Sequence, residues 1–363
     1  MAAKACRPIM ELAELLQYAV NCGASDLHLT AGRPPMVRIS GRLIAGPYPG
    51  ILGPEDAEVL IYPALTDEQK VRFERDNELD FSLALPGVSR FRVNVFRQRG
   101  SVAGVFRLIG ESIPTVEELG LSEAICQMAL LPRGLVLVTG PTGCGKTTTL
   151  AALINLINRE SEGHIVTIED PIEFVHPHGT CTINQRELGL DTHSFPRALK
   201  SVLREDPNVI LVGEMRDLET ITAALTAAET GHLVLSTLHT QGAAQTVNRI
   251  IDVFPEQQQA QIRVMLASTL KGVVSQLLLP RAQGSGRVAA REVMVVTDAI
   301  SAMIRTNNTH HINMAIETGG HDGMCTMEQS LHQLVAAGLV EMDVAVGRST
   351  HPQEFRDASA SGH

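Results

Sequence analysis

The sequence predicts an α/β protein in which a small antiparallel α+β domain precedes a larger domain built on a parallel sheet, with a helical region at the C-terminal end. Three observations carry this prediction. The chain has 363 residues, enough for two domains at roughly 150 residues each. Up to Ile109 it reads as short strands separated by turns. From Leu135 onward, short and almost wholly apolar runs alternate with helical stretches, the pattern of parallel strands covered on both faces.

The elements follow in order. Met1 to Cys6 leads directly into an amphipathic pattern (Ile9, Leu12, Leu15, Leu16) with no apolar signal-peptide core, which predicts a cytoplasmic protein. Asp26 to Leu29, Met36 to Ile39 and Leu43-Ile44 read as strands, the last two joined by a turn at Ser40-Gly41. Glu55 to Leu60 and Thr66 to Asn77 read as helical. In Arg90 to Val95 the alternation places Arg90, Arg92 and Asn94 on one face and Phe91, Val93 and Val95 on the other. Between Phe81 and Gly110 there are five arginines and no acid, which makes that face either a solvated surface or one turned to an anion. The first domain is thus 1–110, and a linker at 111–121 carries Pro114 and the pair Glu117-Glu118.

In the second domain, 122–348, Leu135 to Val138, Ile165 to Ile168, Val209 to Val212 and Leu233 to Ser236 are the parallel strands. Leu150, Leu153, Ile154 and Ile157 form one apolar stripe of the helix after the first of them. Ser194 is a natural N-cap, and Gly231 closes the helix Leu218 to Thr230. From about Gln257 the pattern is helical, interrupted by one strand-like run, Ala289 to Val296. Helices follow near Ala299 to Arg305 and Met327 to Ala337. The polar segment 349–363 is expected to be disordered.

Composition narrows the function. Thirty basic residues against forty acidic ones give a net charge of −10, so phosphate binding has to be local and generic wrapping of DNA is disfavoured. With no Trp and three Tyr, the aromatic platforms on which single strands stack are missing. No run approaches the roughly 18 uninterrupted apolar residues of a membrane span. The six cysteines contain no CxxC pair, so neither a zinc ribbon nor a disulfide framework is indicated.

The chemistry concentrates after strand ends. Gly140-Pro141-Thr142-Gly143-Cys144-Gly145-Lys146-Thr147 fits G-x-x-x-x-G-K-[ST] between an apolar strand and an amphipathic helix. Such a loop turns backbone N–H groups toward a polyphosphate, as the helix N-terminus does at Thr148. Lys146 reaches the β and γ phosphates and Thr147 can ligate Mg²⁺. Glu214 ends the apolar run Val209 to Gly213. With no Asp before it, it fits water activation or a water-mediated Mg²⁺ contact better than direct ligation. Glu169-Asp170-Pro171-Ile172-Glu173 follows another strand, and His232 and His239 bracket a third, where they are either structural or sense the nucleotide. Cys144 inside the loop is either a site of oxidative inhibition or a buried inert thiol.

Together these motifs, with Arg204-Glu205-Asp206-Pro207, Glu214-Met215-Arg216-Asp217, Ala228 to Thr240, Ser25 to Leu29 and Gly323 to Leu331, resemble the secretion superfamily of hexameric ATPases, and within it the type IV pilus retraction, or twitching-motility, ATPases. The resemblance implies a PAS-like N-terminal domain and a RecA-like P-loop core, a homohexamer, and ATP with Mg²⁺ held in the cleft between the domains. By the same resemblance Glu173 is the catalytic carboxylate of the acidic box, Glu214 the Walker B glutamate, and His232 and His239 the His box. Arg92 and Arg107, with Arg90 as a third candidate, reach toward the γ-phosphate. Expected partners are an inner-membrane pilus platform protein and a paralogous retraction ATPase, with no nucleic acid, at the cytoplasmic face of the inner membrane.

Two positions depart from the family pattern: Cys144 stands where Ser is usual, and Ala299 to Arg305 loses a charge and an amide in a segment that the family ties to retraction. The alternatives are an accessory paralogue, an assembly ATPase of a pilus or type II secretion system, a nucleic-acid translocase, and a scaffold that binds nucleotide without turnover. The length and the absence of a tetracysteine metal site oppose the assembly reading. The aromatic shortage opposes the translocase, and intact Lys146, Glu173 and Glu214 oppose the scaffold.

Overall fold

The computed structural model describes residues 10–39, 41–48, 50–109, 113–284 and 286–360, the last four of these without side-chain detail. The chain divides into two compact units, Met1–Ser112 and Ile113–His363.

In the first unit the elements are α1 (Leu12–Asn21), β1 (Asp26–Leu29), β2 (Met36–Ile39), β3 (Arg42–Ala45), α2 (Pro54–Ile61), α3 (Asp67–Asp76), β4 (Glu78–Leu85), β5 (Ser89–Gln98) and β6 (Ser101–Ile109). The six strands form one sheet in the order β3-β2-β1-β6-β5-β4, antiparallel at every pairing. Local chemistry sets the ends of α3. Thr66 accepts from the Gln69 N–H at 3.2 Å, Gln69 Oε1 accepts from the Thr66 N–H at 2.9 Å, and Asn77 stops the helix at φ 63°, a left-handed turn that Asn tolerates. Phe91, Val93 and Val95 are buried with Leu27, Phe73 and Phe106, as the alternation along β5 requires, and Arg92 is exposed.

Pairing register places Arg38, Asp26, Arg107, Arg92 and Ser82 in one row across five strands. Arg92 and Arg107 are direct cross-strand neighbours, an arrangement that costs energy for like charges. Asp26, 4% exposed, offsets it. Its carboxylate accepts from Arg107 Nε at 2.9 Å and from the Ser25 hydroxyl at 2.8 Å, and Arg38 Nε lies 3.5 Å away. Burial alone would raise the Asp26 pKa, but the Ser25 and Arg107 bonds outweigh it and hold the carboxyl below its ordinary range. One acid among these cations leaves the row positive.

The second unit runs α4 (Glu123–Ala129), β7 (Gly134–Thr139), α5 (Lys146–Glu160), β8 (Gly163–Glu169), β9 (Cys181–Glu187), α6 (Phe195–Val202), β10 (Val209–Val212), α7 (Leu218–Glu229), β11 (Leu233–Leu238), α8 (Ala243–Asp252), α9 (Glu256–Thr269), β12 (Leu270–Pro280), β13 (Arg287–Val295), α10 (Asp298–Arg305), α11 (Ile312–Thr318), α12 (Met327–Ala336), α13 (Met342–Val346) and α14 (Pro352–Ala360). The sheet order is β13-β12-β7-β11-β10-β8-β9, parallel except for β13 against β12. Leu135 and Leu137 of β7 pack on one face with α6 to α9, and Val136 and Val138 pack on the other with α4 and α5. The phosphate loop therefore leaves the centre of a sheet that is covered on both sides. Ser194 caps α6 by accepting from Arg197 N–H at 3.3 Å.

Three expectations are corrected. Leu270–Pro280 is a strand, β12, inside the stretch read as helical, because a strand buried on both faces is as continuously apolar as a buried helix. The segment from Ile113 to Leu121, expected as a linker, packs on the second unit. Val116, Leu119 and Leu121 join its core, and Arg291 of β13 donates to the Leu119 and Gly120 carbonyls at 2.8 and 3.1 Å. Residues 111 and 112 of that linker lie outside the described residues. The expected disordered tail contains α14, with Phe355 2% exposed and stacked on His332; residues 361–363 lie outside the described residues.

Candidate functional site

Lys146 begins α5 at the C-terminal end of β7. Its ammonium donates to the Gly140 and Pro141 carbonyls at 2.9 and 3.2 Å, and its Nζ lies 3.4 Å from His239 Nδ1. Burial pushes its pKa down, while the Cys144 thiol and the Glu214 and Glu173 carboxylates push it back up. Both carboxylates are therefore close enough to act on the lysine's charge.

Two glycines shape the loop. A Cβ at Gly140, φ 136°, would collide with the Gln276 carbonyl and lie 2.7 Å from Cys144 Sγ. Gly145 caps α5 at φ 88°, a conformation costly to a residue with a side chain. Cys144 is 3% exposed, and burial raises its thiol pKa. That favours the inert of the two readings, since thiolates carry the reactivity. Thr147 and Thr148 are half-buried in the first turn of α5, and Thr142 and Gly143 are exposed.

Glu214 follows β10. Arg216 Nε pairs with its Oε1 at 2.5 Å, and its Oε2 lies 3.3 Å from His239 Nε2. Lysine can only donate, so His239 accepts at Nδ1 and carries its proton on Nε2, toward Glu214. Lys146 and the strand-end Glu214 are thereby joined through one imidazole. Glu173 is exposed, in the loop after β8, and its backbone N–H bonds the Glu169 carboxylate. Glu169 is buried, and burial raises its pKa against the Thr167 and Gln185 bonds, which measure 2.6 and 3.1 Å.

Lys146, Glu173, Glu214 and His239 thus converge at one end of the sheet. His232 does not join them. It precedes β11 at the other end of that strand, level with the start of β7, roughly 23 Å from His239 along the strand direction. Its Nδ1 lies 3.0 Å from the Ala227 carbonyl and 3.3 Å from the Thr230 hydroxyl, so here it secures the end of α7. Arg92, Arg107 and Arg90 belong to the first unit. Arg90 donates to Ser82 at 2.9 Å, and Arg107 to Asp26. Sequence reasoning missed Arg216 and Gln276 as site residues, although a polar pair inside the apolar run of β12 was the available signal for the latter.

Mg²⁺ takes oxygen ligands, usually one or two from protein and the rest from phosphates and water. The Thr147 hydroxyl and the Glu214 carboxylate, which keeps 18% of its surface exposed, fit that donor set. Among the described residues no group of three or more His, Cys, Asp or Glu side chains could hold a metal by itself.

A family model described as "Type II/IV secretion system protein" matches residues 76–345. The chain belongs to the type II/IV secretion system protein family. Within this secretion family it is 50% identical over 346 residues, covering 95% of the chain and 100% of the relative, to the type IV pilus retractation ATPase PilT of Pseudomonas aeruginosa. It is 41% identical, over 96% of the chain and 91% of the relative, to the type IV pilus ATPase PilU of the same organism. A crystal structure of the pilus retraction motor PilT with bound ADP superposes at TM-score 0.90 and 45% identity, covering 96% of this chain and 99% of that one. Like these secretion-family relatives, the chain is an ATPase with a P-loop core after an N-terminal α+β unit. Among the described residues no helix is long and apolar enough to cross a membrane.

Proposed function

We propose that the chain hydrolyses ATP at the loop Gly140 to Thr147 and uses the energy to retract type IV pili. The observation that carries the reading is the chain of contacts Lys146–His239–Glu214, which ties the group that would grip the phosphates to the carboxylate that would act on water. Lys146 holds the β and γ phosphates, and the glycines and the first turn of α5 offer backbone N–H groups to them. Glu214 and Glu173 orient and deprotonate the attacking water. Bound Mg²⁺, held by Thr147 and directly or through water by Glu214, would neutralise charge on the phosphate oxygens. Arg92 and Arg107 supply positive charge to the phosphoryl group in transfer.

Retraction itself rests on the similarity to PilT over 95% of the chain. On this reading the working form is a homohexamer at the cytoplasmic face of the inner membrane, acting on the pilus platform protein. A second reading, an accessory retraction ATPase working beside a paralogue, is favoured by the altered segment in α10. There Ser301 donates to the Ala267 carbonyl at 2.7 Å, and Ala302 is exposed without a charge or amide. The test is a deletion strain complemented with wild type or Glu214→Gln and scored for surface pilin and twitching. Excess surface pili and lost twitching in the deletion, restored only by wild type, is the expected result. Normal twitching in the deletion points to the accessory reading, and loss of surface pili to assembly.

A further inference from the structure

The polar pair Ser275-Gln276 of β12 stands out in the fold. In the run Val273 to Leu279 these two residues alone are polar, and they are 1% and 2% exposed. Strand alternation sends their side chains to opposite faces, and each meets the segment that carries the phosphate loop. The Ser275 hydroxyl shares a hydrogen bond with Thr139 at 2.6 Å, immediately before Gly140, and accepts from the Gly242 N–H at 3.2 Å. Gln276 Nε2 donates to the Cys144 carbonyl at 2.7 Å, and its Oε1 accepts from the Thr149 hydroxyl at 3.0 Å. Thr149 is itself 2% exposed.

The bond to Cys144 has a consequence across the peptide plane. In a trans peptide the carbonyl and the following N–H point in opposite directions. Holding the Cys144 carbonyl inward on Gln276 therefore turns the Gly145 N–H outward, away from β12. A loop with glycines at 140, 143 and 145 has a wide choice of backbone conformations and pays a large entropy to settle on one. A fixed, buried donor limits that choice before any ligand arrives.

We propose that Gln276 is a positioning residue for nucleotide: its amide fixes the Cys144–Gly145 peptide so that the Gly145 N–H faces the phosphates, and its other end ties the same peptide to α5 through Thr149. The inference rests on the reading of Gly140 to Thr147 as the nucleotide site. Because the loop holds phosphates in ground state and transition state alike, its loss weakens binding more than turnover.

The test uses the purified full chain, with ADP binding and steady-state ATPase measured for Gln276→Leu, Thr149→Val and Lys146→Ala. Gln276→Leu is expected to raise the ATP KM and the ADP Kd about tenfold, the worth of one buried hydrogen bond to the loop, with kcat within roughly threefold of wild type. Thr149→Val shifts both constants in the same direction by less. An unchanged KM and Kd in Gln276→Leu, or a fall in kcat alone, overturns the inference.

Gln276→Glu keeps the fold testable if the leucine variant does not fold. A neutral carboxylic acid donates to the Cys144 carbonyl as the amide does, whereas the ionised form repels it. Above the ordinary carboxylate range, at about pH 8.5, this variant should therefore bind ADP more weakly than wild type, and an affinity equal to that of wild type there overturns the inference. Lys146→Ala separates the two readings. If it binds ADP as wild type does, the nucleotide-site reading fails. If it loses binding while Gln276→Leu is normal, only the role of Gln276 fails.

Discussion

His239 is joined to Glu214 through Nε2 and Oε2 at 3.3 Å, and its other ring nitrogen lies 3.4 Å from the Lys146 ammonium. Both contacts use the same imidazole tautomer, so the ring fixes the distance between the Lys146 ammonium and the Glu214 carboxylate. His239→Phe, which keeps an aromatic ring and removes both contacts, is expected to lower kcat about tenfold or more while ADP binding stays within about threefold. His239→Gln retains a donor and an acceptor and should lose less. Steady-state ATPase with parallel ADP titration checks this, and equal losses in the two variants would contradict the bridging role.

In the first unit, Arg107 is held by Asp26 beside exposed Arg92. If these arginines meet charge that develops on the transferred phosphoryl, Arg107→Ala lowers kcat by on the order of a hundredfold and leaves nucleotide affinity nearly intact. Proportional losses in kcat and affinity would assign Arg107 to ground-state binding or to structure instead.

His176, 8% exposed, sits in the loop between β8 and β9 that also carries Glu173. Burial pushes its pKa from 6.5 down to about 4. The folded state thus binds the proton more weakly than the unfolded state, so the stabilising contribution is present above about pH 6.5 and is lost as pH falls toward 4. The full effect is on the order of 3 kcal/mol. Denaturant midpoints measured between pH 7 and 4 should decline less steeply in His176→Leu than in wild type. Parallel declines would mean that other groups govern the acid side.

Much of the second unit is legible in its sequence because its information is local. The four central strands, the phosphate loop and the caps at Ser194 and Gly231 each depend on residues a few positions apart. What escapes depends on pairing between distant segments. Asp26 and Arg107 are 81 positions apart, and nothing near either shows that register will set them side by side. Likewise β12 hides as an apolar stretch that periodicity cannot tell from a helix, and with it Ser275 and Gln276, which reach the loop from 132 positions away in the case of the Cys144 bond. His232 shows the converse. Motif resemblance groups it with His239, yet six residues of extended strand separate them, and the ring caps a helix end. Arg216 lies only two residues beyond Glu214, but its pairing follows from the turn after β10, which propensity does not specify.

On the proposed reading Glu214 acts on the attacking water, whereas the grip on the phosphates lies in Lys146 and its loop. The most direct measurement is ATP turnover by purified Glu214→Gln protein alongside its affinity for ATP. Binding is expected within about threefold of wild type and turnover lower by about a hundredfold or more. Turnover close to wild type in a folded, ATP-binding Glu214→Gln protein would contradict that reading.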